Sequence, residues 1–248
     1  MKLGLVVPCY NEQHRLDLGS FASYNLDWIE ITYLFVNDGS TDKTAEILES
    51  FCHKYPRAML LNLDSNVGKG PAVRQGIQFF LAQNQMDFLG YWDGDLSTPL
   101  TEIGPMLKIF NKYPRVKFCL GSRLLRLGAN VKRGQIRHYL GRIFATVASS
   151  ILNLSVYDSQ CGAKIFRADV GQKIFADSFK SKWFFDVELL FRFKQLSLPS
   201  TINHEIYEYM ISTWKDRAGS KLKLTDFLSA PLEMLKLWFF YGPLKRKS

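Results

Sequence analysis

The 248-residue sequence contains no long hydrophobic run. No stretch approaches the roughly 20 apolar residues a helix needs to cross a bilayer, because Arg, Lys, Asp or Gly interrupts each candidate, so the chain is not expected to span a membrane by itself. A secretory signal is lacking too: Met1 to Cys9 is a short apolar run holding only Lys2, and polar Tyr10, Asn11 and Glu12 follow at once. The expectation is a chain that starts in the cytoplasm and starts as structure. Cysteine is scarce, and Cys9, Cys52, Cys119 and Cys161 lie far apart. That excludes the paired spacing of zinc sites and thioredoxin-like redox motifs and leaves reduced, mostly buried thiols. Repeats, low-complexity tracts and long Ser/Gly linkers are missing. With 47% hydrophobic residues, the chain can bury one sizeable core, read as one domain with an appended C-terminal element. Acidic residues are absent from one window: Lys108 to Arg142 holds ten Lys/Arg and no Asp or Glu, so the net charge of +9 is a regional feature.

What is present is an alternation of short β-like runs with helical stretches, which predicts parallel βαβ units and an α/β fold. Leu3–Val7, Tyr33–Val36, Ala58–Leu63, Phe88–Trp92 and Val116–Leu120 read as strands. Helices are expected over Thr41–His53, with Ser40 or Thr41 as N-cap, over Pro71–Leu81, with proline in the first turn, and over Pro99–Phe110.

Ligands of open α/β sheets bind beyond the carboxyl ends of the strands, and the informative residues fall there. Strand one runs into Pro8, Tyr10, Asn11 and Glu12, strand two into Asn37, Asp38, Gly39 and Ser40, and strand four into Asp93, Gly94 and Asp95. Two carboxylates flanking a glycine suit a hard cation, Mg²⁺ or Mn²⁺, shared with phosphates. Taken singly, Asp93-Gly94-Asp95 and Asn37-Asp38-Gly39-Ser40 also read as ordinary solvated turns; the buried strands before them and the convergence of three acidic ends favour a ligand site.

Val7-Pro8-Cys9-Tyr10-Asn11-Glu12, Val36-Asn37-Asp38-Gly39-Ser40-Thr41-Asp42, Asn66-Val67-Gly68-Lys69-Gly70 and Asp93-Gly94-Asp95 occur in an order and spacing that resemble the family 2 glycosyltransferases. The resemblance implies the GT-A nucleotide-diphospho-sugar transferase fold, a mostly parallel central sheet flanked by helices. Asp93-Gly94-Asp95-Leu96-Ser97-Thr98-Pro99, Gly121-Ser122-Arg123, Asp158 to Lys164, Trp183 to Leu190 and Gly219-Ser220-Lys221-Leu222 narrow it to the polyprenyl-phosphate glycosyltransferases, above all the dolichyl-phosphate β-glucosyltransferases. It covers roughly residues 1 to 225, taken as the transferase domain, with 226–248 as a C-terminal amphipathic helix and basic tail. It implies inverting transfer of a hexose, glucose or a close relative, from UDP-glucose or similar to a polyprenyl or dolichyl phosphate. On the same footing, Pro8, Tyr10, Glu12 and Asp38 contact the nucleoside, and the Lys69-Gly70 segment belongs to the donor site. Asp93 and Asp95 hold the diphosphate through the metal, with Gly94 between them, and Arg123 and Lys221 face phosphates, Lys215 and Arg217 being possible helpers. Asp158 orients acceptor or sugar. Two positions depart from the related pattern: Ser97 stands where the mannosyl enzymes have a metal-binding glutamine, and Ala163 replaces an aromatic.

The basic window supplies Arg123 and Arg137, with Arg133 or Arg142 as further candidates, to hold an anionic lipid phosphate in the bidentate way guanidinium allows; a solvated or membrane-attracted face is the other reading for each arginine except Arg123. Ten cations without counter-charge suit an anionic membrane surface, and the apolar stretches Ile136–Leu154 and Leu228–Tyr241 are candidates for interfacial helices or for packing on the domain. The localisation expected is cytoplasmic, peripheral on the cytoplasmic face of a membrane. A phosphate acceptor is already an anion and needs no general base. Nucleic acid is not an expected partner, since the basic window contains no recognisable binding module. A sugar nucleotidyltransferase would carry a Gly/Arg-rich phosphate loop where Pro8-Cys9-Tyr10-Asn11-Glu12 stands. A non-catalytic sugar-nucleotide-binding module and a sugar or protein hydroxyl acceptor stay open on sequence alone.

Overall fold

The computed structural model describes the backbone of residues 1–124, 127, 130–132, 135–181, 184–215 and 224–242, and the side chains of these except 130–132, 135–140 and 224–231. In chain order the elements are β1 (Lys2–Cys9), α1 (Leu18–Ser23), β2 (Glu30–Asp38), α2 (Thr44–Lys54), β3 (Ala58–Leu63), α3 (Lys69–Gln83), β4 (Phe88–Trp92), α4 (Ile103–Lys112), β5 (Phe118–Ser122), β6 (Asn130–Lys132), α5 (Gln135–Leu152), β7 (Ala163–Arg167), α6 (Ala168–Ile174), α7 (Phe185–Leu196), α8 (Ile202–Glu205), β8 (Ile206–Met210), β9 (Thr213–Lys215) and α9 (Leu224–Tyr241).

The main sheet has the strand order β3-β2-β1-β4-β7-β5-β8. β1 to β4 run parallel, β7 is antiparallel to β4 and β5, and β8 is parallel to β5. β6 and β9 form a separate short parallel ribbon. Because strand side chains alternate between faces, β1 and β2 feed two cores. Val6, Leu34 and Val36 meet Ala72, Val73, Ile77 and Phe80 of α3 on one face. Leu5, Val7, Tyr33 and Phe35 meet Leu48 and Phe51 of α2 and Ile103, Met106 and Leu107 of α4 on the other. Burial on both faces is why these strands read as unbroken apolar runs.

β3 and β4 have the bounds the sequence predicts, while β1, β2 and α3 extend beyond their predicted ranges at both ends; the boundaries of α2, α4 and β5 shift for identifiable reasons. α2 begins at Thr44, and neither Ser40 nor Thr41 caps it: Ser40 Oγ accepts from the Asn11 amide and Thr41 Oγ1 donates to Asn11 Oδ1, so both side chains are spent on the neighbouring loop. The helix expected from Pro99 starts with a single 3-10 turn, Leu100–Glu102, before α4. Val116 is still in a turn, its amide bonded to Tyr113 O, so β5 starts two residues later. α9 packs Met234 and Leu237 into the first core and leaves Leu232, Leu235, Phe239 and Phe240 exposed; packing and an open apolar face coexist on one helix. No helix among the described residues is long and apolar enough to cross a membrane.

Candidate active site

The order β2-β1-β4 puts the topological switch of the sheet between β1 and β4, the place where open α/β sheets bind ligands. The loops there are bonded to one another. Asn11 adopts φ 50°, a left-handed conformation that asparagine tolerates, and its Oδ1 accepts from Thr41 N at 2.8 Å. Glu12 N donates to Thr44 Oγ1 at 2.8 Å and Gln13 N to Asp42 Oδ2 at 3.2 Å. Pro8 and Tyr10 lie half-buried beside this seam. Glu12 is buried, and its carboxylate accepts from Arg15 Nε at 2.6 Å and from Arg15 Nη2. Asp38, also buried, accepts from Val67 N at 2.8 Å, Gly68 N at 3.0 Å and Asn66 Nδ2 at 3.1 Å. It thereby fixes the loop that leads into Lys69 and Gly70 at the start of α3. Gly70 lets that helix end meet α7: a Cβ there would lie 2.9 Å from Phe185 Cβ and Cγ.

Lys69 reaches across to the acidic loop, where its Nζ lies 2.5 Å from Asp93 Oδ1. Asp93 N donates to Gly162 O at 3.1 Å, and the Asp93 carboxylate rests against Gly162 so closely that a Cβ at 162 would fall 1.9 Å from Oδ2. Asp95 Oδ1 accepts from Ser97 N at 2.9 Å, and Leu96 between them has φ 50°, backbone strain of the kind that gathers at functional sites. Burial works against the Asp93 carboxylate, but Lys69, Arg123 and Lys164 outweigh it and hold its pKa below the ordinary value. Burial and the charge of Asp93 together push Asp95 up. Burial pulls Lys69 down, yet Asp93 and Asp186 keep it above the usual lysine value. Among the described residues no group of three or more His, Cys, Asp and Glu side chains gathers as a metal cage. Two hard oxygen donors on one loop, beside a strained turn, nevertheless fit a divalent cation that completes its shell with phosphate oxygens and water.

Facing this loop, Arg123 and Asp158 form a bidentate pair, Nε–Oδ2 2.6 Å and Nη2–Oδ1 2.8 Å. The pair is braced from behind: Glu208 Oε1 accepts from Asp158 N at 2.7 Å, and Arg123 stacks over the Trp214 ring at 5.6 Å. Asp158 thus orients Arg123 in this structure. Lys215 N donates to Ser97 O at 3.0 Å, which ties β9 to the acidic loop. Lys221, Arg217, Arg133 and the Arg137 side chain lie outside the described residues.

Sequence reasoning missed several members of this neighbourhood. Lys164, on β7, is fully buried and pairs with Asp186 at 2.5 Å; Tyr91 OH donates to the same Asp186 oxygen, and burial together with Asp186 pushes the Tyr91 phenol up. A lone lysine inside the run Ala163 to Phe166 was the available signal, since a buried ammonium needs a partner. Glu102 is buried, and its Oε1 accepts from Ser212 N at 2.9 Å and Thr213 N at 3.1 Å.

The open, mostly parallel sheet with an acidic pair at its switch point is the arrangement of the GT-A fold. The glucosyl-3-phosphoglycerate synthase of Mycobacterium tuberculosis shares the fold, with a TM-score of 0.67 at 15% identity over 97% of this chain and 80% of that one. Its complex with Mn²⁺, uridine-diphosphate-glucose and phosphoglyceric acid gives 0.68 at 14%, over 96% and 80%. The model of glycosyl transferase family 2 matches residues 5–175, and the chain belongs to that family. Its similar relatives include dolichyl-phosphate beta-glucosyltransferases of Saccharomyces cerevisiae, 30% identical over 90% of this chain and 69% of the relative, and of Trichomonas vaginalis, 28% identical over 96% and 73%.

Proposed function

We propose that the protein is a metal-dependent, inverting glucosyltransferase that moves glucose from UDP-glucose to a dolichyl or other polyprenyl phosphate, carried by residues 1–225. The observation that supports it most is the facing of Asp93 and Asp95 by the braced Arg123–Asp158 pair, in a chain whose relatives carry that activity in their names. Pro8, Tyr10, Glu12 and Asp38 line the nucleoside end. Lys69, Gly70 and Gly94 let the donor diphosphate approach closely, and Lys221 is assigned to the same phosphates. Arg123 and Arg137 receive the acceptor phosphate, with Asp158 fixing the Arg123 fork.

In the reaction an acceptor phosphate oxygen forms a bond to the anomeric carbon as the bond from that carbon to the donor diphosphate breaks, and the electron pair leaves with UDP. The acceptor is already anionic, so no side chain has to remove a proton; what the protein supplies is positioning and charge. A Mg²⁺ or Mn²⁺ ion held by Asp93 and Asp95 would neutralise charge on the leaving diphosphate. On this reading the enzyme works as a peripheral protein on the cytoplasmic face of a membrane, with an anionic surface as the partner of the basic window and of the open faces of α5 and α9, where Ile143, Leu232 and Phe239 are more than 60% exposed.

The test is transfer of label from UDP-glucose to a short polyprenyl phosphate with Mg²⁺ or Mn²⁺. EDTA, or Asp95→Ala, is expected to cut turnover about a thousandfold or more, as loss of several kcal/mol of charge stabilisation requires. Labelled lipid that persists in both arms would overturn the metal reading, and UDP binding without transfer to lipid would overturn the acceptor.

A further inference from the structure

Glu12 has a motif and an assigned end of the donor; Arg15, three residues on, has neither. The chain turns sharply between them, Arg15 N and Leu16 N both donating to Glu12 O at 2.8 and 3.1 Å. This turn lies directly on the acidic loop: a Cβ built on Gly94 would stand 3.5 Å from Leu16 Cδ2 and 3.4 Å from Cys9 Sγ. The guanidinium is held in one orientation by the Glu12 carboxylate, through Nε at 2.6 Å and through Nη2, and its side chain is 23% exposed. The charges of Asp95 and Asp93 also act on it and raise its pKa. A preoriented arginine therefore stands on the turn after β1 that packs against Gly94 of the acidic loop.

We propose that Arg15 binds the diphosphate of the nucleotide donor, contributing a charge-assisted contact from the β1 side that complements the contacts made from the β4 side. The inference rests on the nucleotide-diphosphate donor proposed above. Glu12 then has a second task, aiming a fork whose planar geometry suits phosphate oxygens. If Arg15 served only to neutralise Glu12, its removal would disturb the nucleoside end and leave the diphosphate untouched.

The experiment compares UDP with uridine, each titrated in the presence of Mn²⁺ into the unsubstituted protein, Arg15→Met and Arg15→Lys. Lysine keeps a charge beside Glu12, so Arg15→Lys guards against a methionine variant that fails to fold. For Arg15→Met, UDP affinity is expected to fall about tenfold or more, the worth of one hydrogen bond to a charged group, with uridine affinity unchanged; Arg15→Lys should fall between. Equal loss for UDP and uridine in Arg15→Lys, or no loss for either, would overturn the inference while UDP binding by the unsubstituted protein upheld the donor. Failure of the unsubstituted protein to bind UDP would instead overturn the donor reading and the inference with it.

Discussion

Two lysine–aspartate pairs of the same length, 2.5 Å, stand one behind the other at the end of β4, and solvent divides their tasks. Lys69–Asp93 has side chains 38% and 35% exposed, whereas Lys164–Asp186 has 0% and 4%. They are mechanically connected: Tyr91 and Lys164 are register partners across β4 and β7, and Asp93 N bonds to Gly162 two residues before Lys164. An ion pair open to water contributes little to stability and exchanges partners readily. Asp93 can therefore turn from Lys69 to a cation without unfolding anything. The inner pair has no such freedom. Asp186 Oδ1 also accepts from Tyr91 OH, and Lys164 Nζ donates to Cys161 O at 2.6 Å, so removing one member leaves buried polar groups without partners. Behind an exchangeable pair lies a permanent one.

The sharpest way to break this comparison is Lys164→Met. It is expected to cost about 3–5 kcal/mol, the usual result of leaving one member of a buried pair uncompensated, read from urea denaturation. The double variant Lys164→Met/Asp186→Leu should recover part of that loss, because the uncompensated charge goes too, although Tyr91 OH and Cys161 O lose their partners. A single variant within about 1 kcal/mol of the unsubstituted protein would show that the inner pair behaves like a surface one.

The difference between the pairs also marks how far the sequence can be read. The strand-end motifs were legible because they are contiguous: Asp93 and Asp95 follow an apolar run that can only be a buried strand, and β3 and β4 have the bounds their composition predicts. Lys164 and Asp186 were not legible as a pair. Their contact depends on β7 entering the sheet antiparallel between β4 and β5, and periodicity reports burial without naming the neighbour. Ser40 and Thr41 failed as caps for a related reason: a side chain that can cap a helix can equally bind another loop, and Asn11 was the competitor. Arg123 and Asp158 were both singled out, but as separate contributors; that one aims the other depends on the distance between them.

Gly162→Ala sharpens the comparison from the side of the outer pair. A methyl group 1.9 Å from Asp93 Oδ2 cannot be accommodated, and the carboxylate must swing away from the position where it meets Lys69. Displacing a reacting group by about 1 Å costs on the order of a hundredfold in rate. Glucose transfer should therefore drop about a hundredfold, with the apparent Mn²⁺ requirement moving to higher concentration. Because the displaced side chain is half-solvated, the urea midpoint should move far less than for Lys164→Met; a large loss of stability with full activity would mean that Gly162 serves packing alone.

Lys69→Met has the smallest expected effect on stability and separates the two pairs most cleanly. The salt bridge it removes is more than a third exposed on both sides, so its worth after solvent screening is about 0–1 kcal/mol, against several for the inner lysine. Asp93 keeps its other cationic neighbours, Arg123 and Lys164, which also hold its pKa down, so it should remain ionised and able to hold a metal. What the variant removes is the cation proposed above to lie beside the donor diphosphate, and the expected reading is a raised KM for UDP-glucose with an almost unmoved urea midpoint. Equal damage to stability from Lys69→Met and Lys164→Met would erase the distinction between an exchangeable and a permanent pair.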